Sequence, residues 1–126
     1  MTEPRTVTLP TTDHGPVTLP EPSWCHGHAH HDPHSVRADL THTSPQHPLT
    51  FHGRQLGYAV IAHAPYGELG HREIRAAVTI SIEPDPDGLT PAGLYDLAAA
   101  LDTSADQLRD VGDQLHAILG ETGGAA

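Results

Sequence analysis

Two short segments near the N-terminus alternate apolar and polar residues and nearly repeat each other: Thr6-Val7-Thr8-Leu9-Pro10 and Pro16-Val17-Thr18-Leu19-Pro20. A period of two is the mark of a half-buried strand, and proline confines such strands to an edge. Residues 5–20 are therefore predicted to form a hairpin that turns at Thr11-Thr12-Asp13-His14-Gly15. From 21 to 35 the chain is Pro, His, Gly and Asp around Trp24-Cys25, with neither a strand nor a helix period, which predicts an irregular histidine-rich loop.

Alternation returns with Val36, Ala38, Leu40 and His42 set against Arg37, Asp39 and Thr41, predicting a strand with His42 on its inner face. Further strands are expected at Leu49 to His52 and Leu56 to His63. After a turn at Ala64 to Gly70 comes the clearest one, with Ile74, Ala76, Val78, Ile80 and Ile82 on one face. Residues 36–83 thus form the body of a sheet, ended by Pro84-Asp85-Pro86-Asp87-Gly88. Thr90-Pro91 then places a capping hydroxyl before a proline at the first helical position. Leu94, Leu97, Leu101, Ser104, Leu108, Val111, Leu115 and Ile118 follow at helical spacing, predicting one helix over 90–119. Asp102-Thr103-Ser104 offers a second cap that would split it in two. The stripe is expected to cover Ile74, Val78, Ile80 and Ile82, and 120–126 to be a frayed tail. The expected architecture is a single α+β domain over 1–126: an antiparallel sheet of about five or six strands with one long C-terminal helix packed on a face.

Composition adds an asymmetry. Of 25 Leu, Ile, Val and Phe residues, only 8 fall in 1–55, yet that half holds 9 of the 12 histidines and the one cysteine. Burial alone is least able to order this half, so something else is expected to fix it. The net charge is −10, with no lysine at all, which argues against duplex nucleic acid as a partner. Protonating every histidine would turn −10 into +2. No apolar run is long enough to span a membrane, and Met1 to Pro10 lacks the features of a signal peptide, so a cytoplasmic protein without a membrane partner is expected. A single cysteine excludes an intrachain disulfide.

Candidate chemistry concentrates between Cys25 and His42, where Cys25, His26, His28, His30, His31, Asp32, His34 and His42 gather. Cys25 and His28 form a Cys-x2-His pair, and a strand residue such as His42 can complete the three or four ligands that tetrahedral zinc takes. A thiolate favours zinc over the oxygen-seeking calcium and magnesium. Cys25, His28 and His42 are the expected ligands of one zinc ion, with His30 as the fourth. Each has a plainer alternative: Cys25 as a small apolar residue beside Trp24, the histidines as polar groups satisfied by the backbone. His14, His47, His52, His63, His71 and His116 are left outside the site.

The stretch Pro22-Ser23-Trp24-Cys25-His26-Gly27-His28, followed by Asp39-Leu40-Thr41-His42, resembles a family of small actinobacterial proteins with a Pro-x-Trp-Cys-x2-His and Asp-Leu-x-His pattern, a domain of unknown function. The resemblance extends in layout over roughly 5–120, through Leu89-Thr90-Pro91-Ala92 at the helix start. It implies a zinc-type site and no known activity. Some members have a second cysteine just before the proline, where this chain has Glu21, so a site with two cysteines is not available.

Three functions follow. A small zinc-stabilised binding or regulatory module is favoured, acting through contacts with a protein partner or as a homodimer through the 90–119 helix. A histidine-rich metal buffering or delivery protein is the alternative. A zinc-dependent hydrolase ranks last, because neither His-Glu-x-x-His nor the His-x-Glu with Pro-Cys-x-x-Cys of zinc deaminases is present.

Overall fold

In the computed structural model, which describes residues 5–67, 73–81 and 88–121, the two alternating segments pair as strands β1 (Arg5–Thr11) and β2 (Gly15–Glu21). They run antiparallel with Val7 opposite Leu19 and Leu9 opposite Val17. On the open face the hydroxyls of Thr8 and Thr18 share a hydrogen bond of 2.7 Å. The turn is tied by Thr11, whose hydroxyl donates to the Gly15 carbonyl and accepts from the His14 N–H.

The chain divides into two units, Met1–Pro45 with Ile61–Arg75 and Gln46–Val60 with Ala76–Ala126. In the first, Leu9 and Leu19 are buried against Leu40, with Val7, Val17 and Tyr66 packed around them. Each fully buried leucine contributes about 2 kcal/mol by leaving water. The strand expected from Val36 to His42 is instead interrupted by a 3-10 turn at Arg37–Asp39, and only its last residue, with Thr43, pairs as a strand, β3 (His42–Thr43). Side-chain anchors explain the difference. The Arg37 N–H donates to the Asp13 carboxylate at 2.9 Å, and its guanidinium lies 3.9 Å from the centre of the Tyr66 ring. That clamp bends the backbone while still burying Leu40 and His42.

β3 pairs antiparallel with the C-terminal end of β5 (Arg54–His63), His42 opposite His63 and Thr43 opposite Ala62. The Ser44 N–H donates to the Ile61 carbonyl, and the Ser44 hydroxyl accepts the Ile61 N–H, closing the pairing. A turn follows at Ala64, whose carbonyl accepts the Gly67 N–H; the rest of the expected turn, to Gly70, lies outside the described residues.

In the second unit β4 (His47–Phe51) pairs antiparallel with β5 through the two-residue loop His52-Gly53, both residues at positive φ as this hairpin type demands. Strand β6 (Arg75–Ile80) also pairs with β5, approaching so closely at Gly57 that a Cβ there would collide with the Thr79 carbonyl oxygen. The expected α+β class, with about six strands and one long C-terminal helix, is what the structure shows; among the described residues the strands are divided between two sheets, the β1-β2 hairpin and a four-stranded sheet. Ile82, and the Pro84 to Asp87 break, lie outside the described residues.

Helix α1 (Pro91–Glu121) begins as predicted, with the Thr90 hydroxyl accepting the Gly93 N–H. It is a single helix. The Thr103 hydroxyl donates back to the Ala99 carbonyl, a bond made inside a helix, and so starts no second one. Gly120 and Glu121 continue it, whereas 122–126 of the expected tail lie outside the described residues. α1 packs on β4 and buries Ser104, Val111 and Ile118. The expected covering of β6 is not observed: Val78 and Ile80 are 47% and 56% exposed, and Leu94 and Leu101 on the helix 55% and 43%. Among the described residues no helix is long and apolar enough to cross a membrane.

Truncating a buried β4 side chain should therefore cost far more than truncating the open part of the helix stripe. Leu49→Ala is expected to lose about 2–5 kcal/mol through transfer energy and a residual cavity, Leu101→Ala under about 1 kcal/mol, as read from urea midpoints.

Candidate metal centre

The hairpin delivers the first group. Along β2 the residues in phase with buried Leu19 point inward, and Glu21 is the next in that phase. Beyond it the chain turns, with the Cys25 N–H donating to the Pro22 carbonyl, and Gly27 takes a φ of 101°, a conformation that favours glycine. The His26 N–H bonds the Thr43 carbonyl at 2.9 Å, which seats the loop beside β3. β3 supplies His42, only 2% exposed.

These elements bring one ligand atom each from Glu21, Cys25, His28 and His42 within 4.8 Å of one another. Cys25 Sγ lies 3.6 Å from His28 Nε2. His28 Nε2 is 3.1 Å from Glu21 Oε2, and His42 Nδ1 is 2.9 Å from Glu21 Oε1. Zinc bonded tetrahedrally at about 2.0 Å to nitrogen or oxygen and about 2.3 Å to sulfur separates its ligands by roughly 3.3–3.6 Å. The sulfur–nitrogen edge already has that length, and the edges to the carboxylate are slightly shorter.

His42 Nδ1 is the most telling atom. Despite its proximity to Glu21 it is buried without a hydrogen bond, because the contact is close but misaligned. A buried polar atom left so is costly unless something else meets it, and a shared cation would. Aromatic rings stand around His42: His28 and Trp24 edge-on to it, at 5.4 and 6.4 Å between ring centres, and His63, opposite it on β5, at 6.4 Å.

The electrostatics suit cation binding. Burial acts to raise the Glu21 carboxyl, but hydrogen bonds from Cys25 and His28, with the charges of His28 and His42, prevail and hold it below its ordinary 4.5. Burial lowers His42 below 6.5; the Glu21 charge pulls it back only in part, so at neutral pH a neutral imidazole faces an ionised carboxylate rather than an ion pair. Burial and the adjacent carboxylate push the Cys25 thiol above 9.0.

Cys25, His28 and His42, all expected in the site, are thus brought together. His30 is not among them: it is exposed, and Glu21 stands where a fourth ligand was sought. His26 bonds the Thr43 hydroxyl, His31 the Pro10 carbonyl, and His34 is exposed. Glu21 precedes the Cys25-to-His42 stretch in which the candidate chemistry concentrates. Its inward phase, continuing Val17 and Leu19, was the available signal.

Compared with known proteins, residues 6–117 match the family model of a domain of unknown function, DUF6907. No curated protein and no solved structure matches the chain.

For chelator-treated protein the sign of the pH dependence follows from the shifted groups. The unfolded chain takes a proton at His42 near pH 6.5, and at Glu21 near 4.5, before the folded chain does, so the stability these groups confer is complete above pH 6.5 and is lost on acidification. Cys25 works oppositely: its contribution is complete below pH 9.0 and is lost as the pH rises through its raised folded value. Urea midpoints should form a plateau between those limits, and His42→Gln should lessen the fall just below pH 6.5. A midpoint that rises on acidification would contradict this.

Proposed function

The chain belongs to the DUF6907 family, a domain of unknown function, and from its site we propose that it is a small binding or regulatory module stabilised by one zinc-type ion on Glu21, Cys25, His28 and His42. The carrying observation is the convergence of those four ligand atoms around a buried His42 Nδ1 that has no hydrogen bond. One thiolate and two imidazoles favour a borderline-soft ion such as zinc over calcium or magnesium. Four protein ligands make a closed sphere of the structural kind and leave no position for the reactive water of a hydrolase. Metal-binding energy then becomes folding energy for a unit whose apolar core is centred on Leu9, Leu19 and Leu40.

The output of such a module is contact with other proteins, in the cytoplasm. Leu94, Tyr95 and Leu101 leave the first half of α1 open on an apolar side, which favours a protein partner or a second copy of the chain. A metal-buffering role is the second reading, favoured by the exposed histidines His26 and His30 on the same loop.

Elemental analysis of untagged protein is expected to find one tightly held ion per chain. Cys25→Ser and Glu21→Gln should each lower metal content and melting temperature together, every kcal/mol lost being worth roughly 4 °C in a domain of this size. His30→Ala should keep both; retained metal in Cys25→Ser would remove the thiolate from the site. If α1 pairs with a second copy, the melting temperature of the parent should rise with protein concentration, and Leu101→Ala should abolish that rise.

A further inference from the structure

Beside the four-residue cluster the loop opens a cleft of about 340 Å³, walled by His26, His28, His30, His31 and Asp39 among others. His28 belongs to both places. Its Nε2 faces Glu21 and Cys25, while its side chain forms part of the cleft wall. Resting on the four-ligand reading above, we propose that this cleft is a second, weaker site for a divalent transition-metal ion, which captures the hydrated ion before it passes to the inner cluster.

Charge selects a cation. Asp39 is the one formally charged side chain in the lining at neutral pH, and the rest are imidazoles, hydroxyls, glycine and alanine. An anion would meet a carboxylate and no guanidinium there. Imidazole with carboxylate suits zinc, cobalt, nickel or copper better than the harder ions.

One imidazole is already set for ligation. His31 Nε2 lies 2.9 Å from the Pro10 carbonyl oxygen, which can only accept, so the proton sits on Nε2 and Nδ1 keeps its lone pair. Fixing a ligand's tautomer through the opposite nitrogen is how metal-binding histidines are commonly oriented. The backbone around it is braced as well, with the His31 N–H on the His28 carbonyl and the His26 N–H on the Thr43 carbonyl.

The site is weak for a geometric reason. Among the described residues the ligand atoms that already converge are those of the inner four, and of the cleft residues His28 alone is part of that group. At about 30 Å³ per water the cleft has room for roughly ten molecules, so an ion enters with much of its hydration shell. Loose, partly hydrated binding exchanges quickly, and the shared His28 makes the onward step short.

The test titrates chelator-stripped full-length chain with Co²⁺, counting bound ion by equilibrium dialysis and following thiolate–cobalt absorption, which only Cys25, the one cysteine, can produce. Two ions per chain are expected, the tighter giving the thiolate band and the weaker none. The double variant His30→Ala with Asp39→Asn, both exposed positions, should lose the weaker ion, keep the thiolate band, and fill the inner cluster more slowly at substoichiometric Co²⁺. His31→Ala, which also releases the Pro10 contact, should do the same. One ion per parent chain with a full thiolate band overturns the proposal and leaves the inner site standing. A second ion that survives in both variants places it elsewhere and also overturns the proposal. No thiolate band in the parent overturns the four-ligand reading and the capture site with it.

Discussion

Glu21 is a carboxylate drawn out of water at the end of a hairpin, its side chain one-tenth exposed, and the arrangement around it follows from keeping it ionised there. A buried charge without partners costs several kcal/mol, so donors must be brought to it. The turn at Pro22–Cys25 and the glycine at 27 aim Cys25 and His28 at its two oxygens, and β3 places His42 on the same carboxylate. Glu21 and the groups gathered around it come from three separate stretches of chain. The constraint on one side chain thereby ties the hairpin end, the loop and β3 together, where sparse apolar residues would not.

That dependence explains which parts were readable in advance. The β1–β2 pairing and the helix start are local: alternation with prolines sets the first, and a threonine before a proline the second. The three expected ligands come from the same logic of short spacing, Cys-x2-His in a loop and a histidine on an inward strand phase. The rest depends on partners distant in sequence. The bend at Arg37–Asp39 is made by Asp13 and Tyr66, each more than twenty residues away, and nothing between Val36 and His42 announces it. The helix stripe shows which residues are able to be buried, not how many are. α1 packs on β4, a strand of five residues, and buries Ser104, Val111 and Ile118, seven residues apart, while Leu94 and Leu101 stay open.

In the proposed site, a second cysteine at the Glu21 position would give two thiolates and two imidazoles, a neutral centre on a divalent ion. With Glu21 the proposed ligand set would be one thiolate, one carboxylate and two neutral imidazoles, which is neutral again on a divalent ion. A buried centre must be close to neutral, since any net charge would carry the full cost of desolvation, so a carboxylate can replace the thiolate where an amide or hydroxyl could not. The exchange is not without consequence. Oxygen is a harder donor than sulfur and holds a borderline ion less firmly, and a carboxylate has two oxygens between which the ion can shift. In the proposed site a neutral centre with one looser ligand would keep the fold-stabilising role of a closed site while easing exchange of the ion, the property a neighbouring histidine cleft would draw upon.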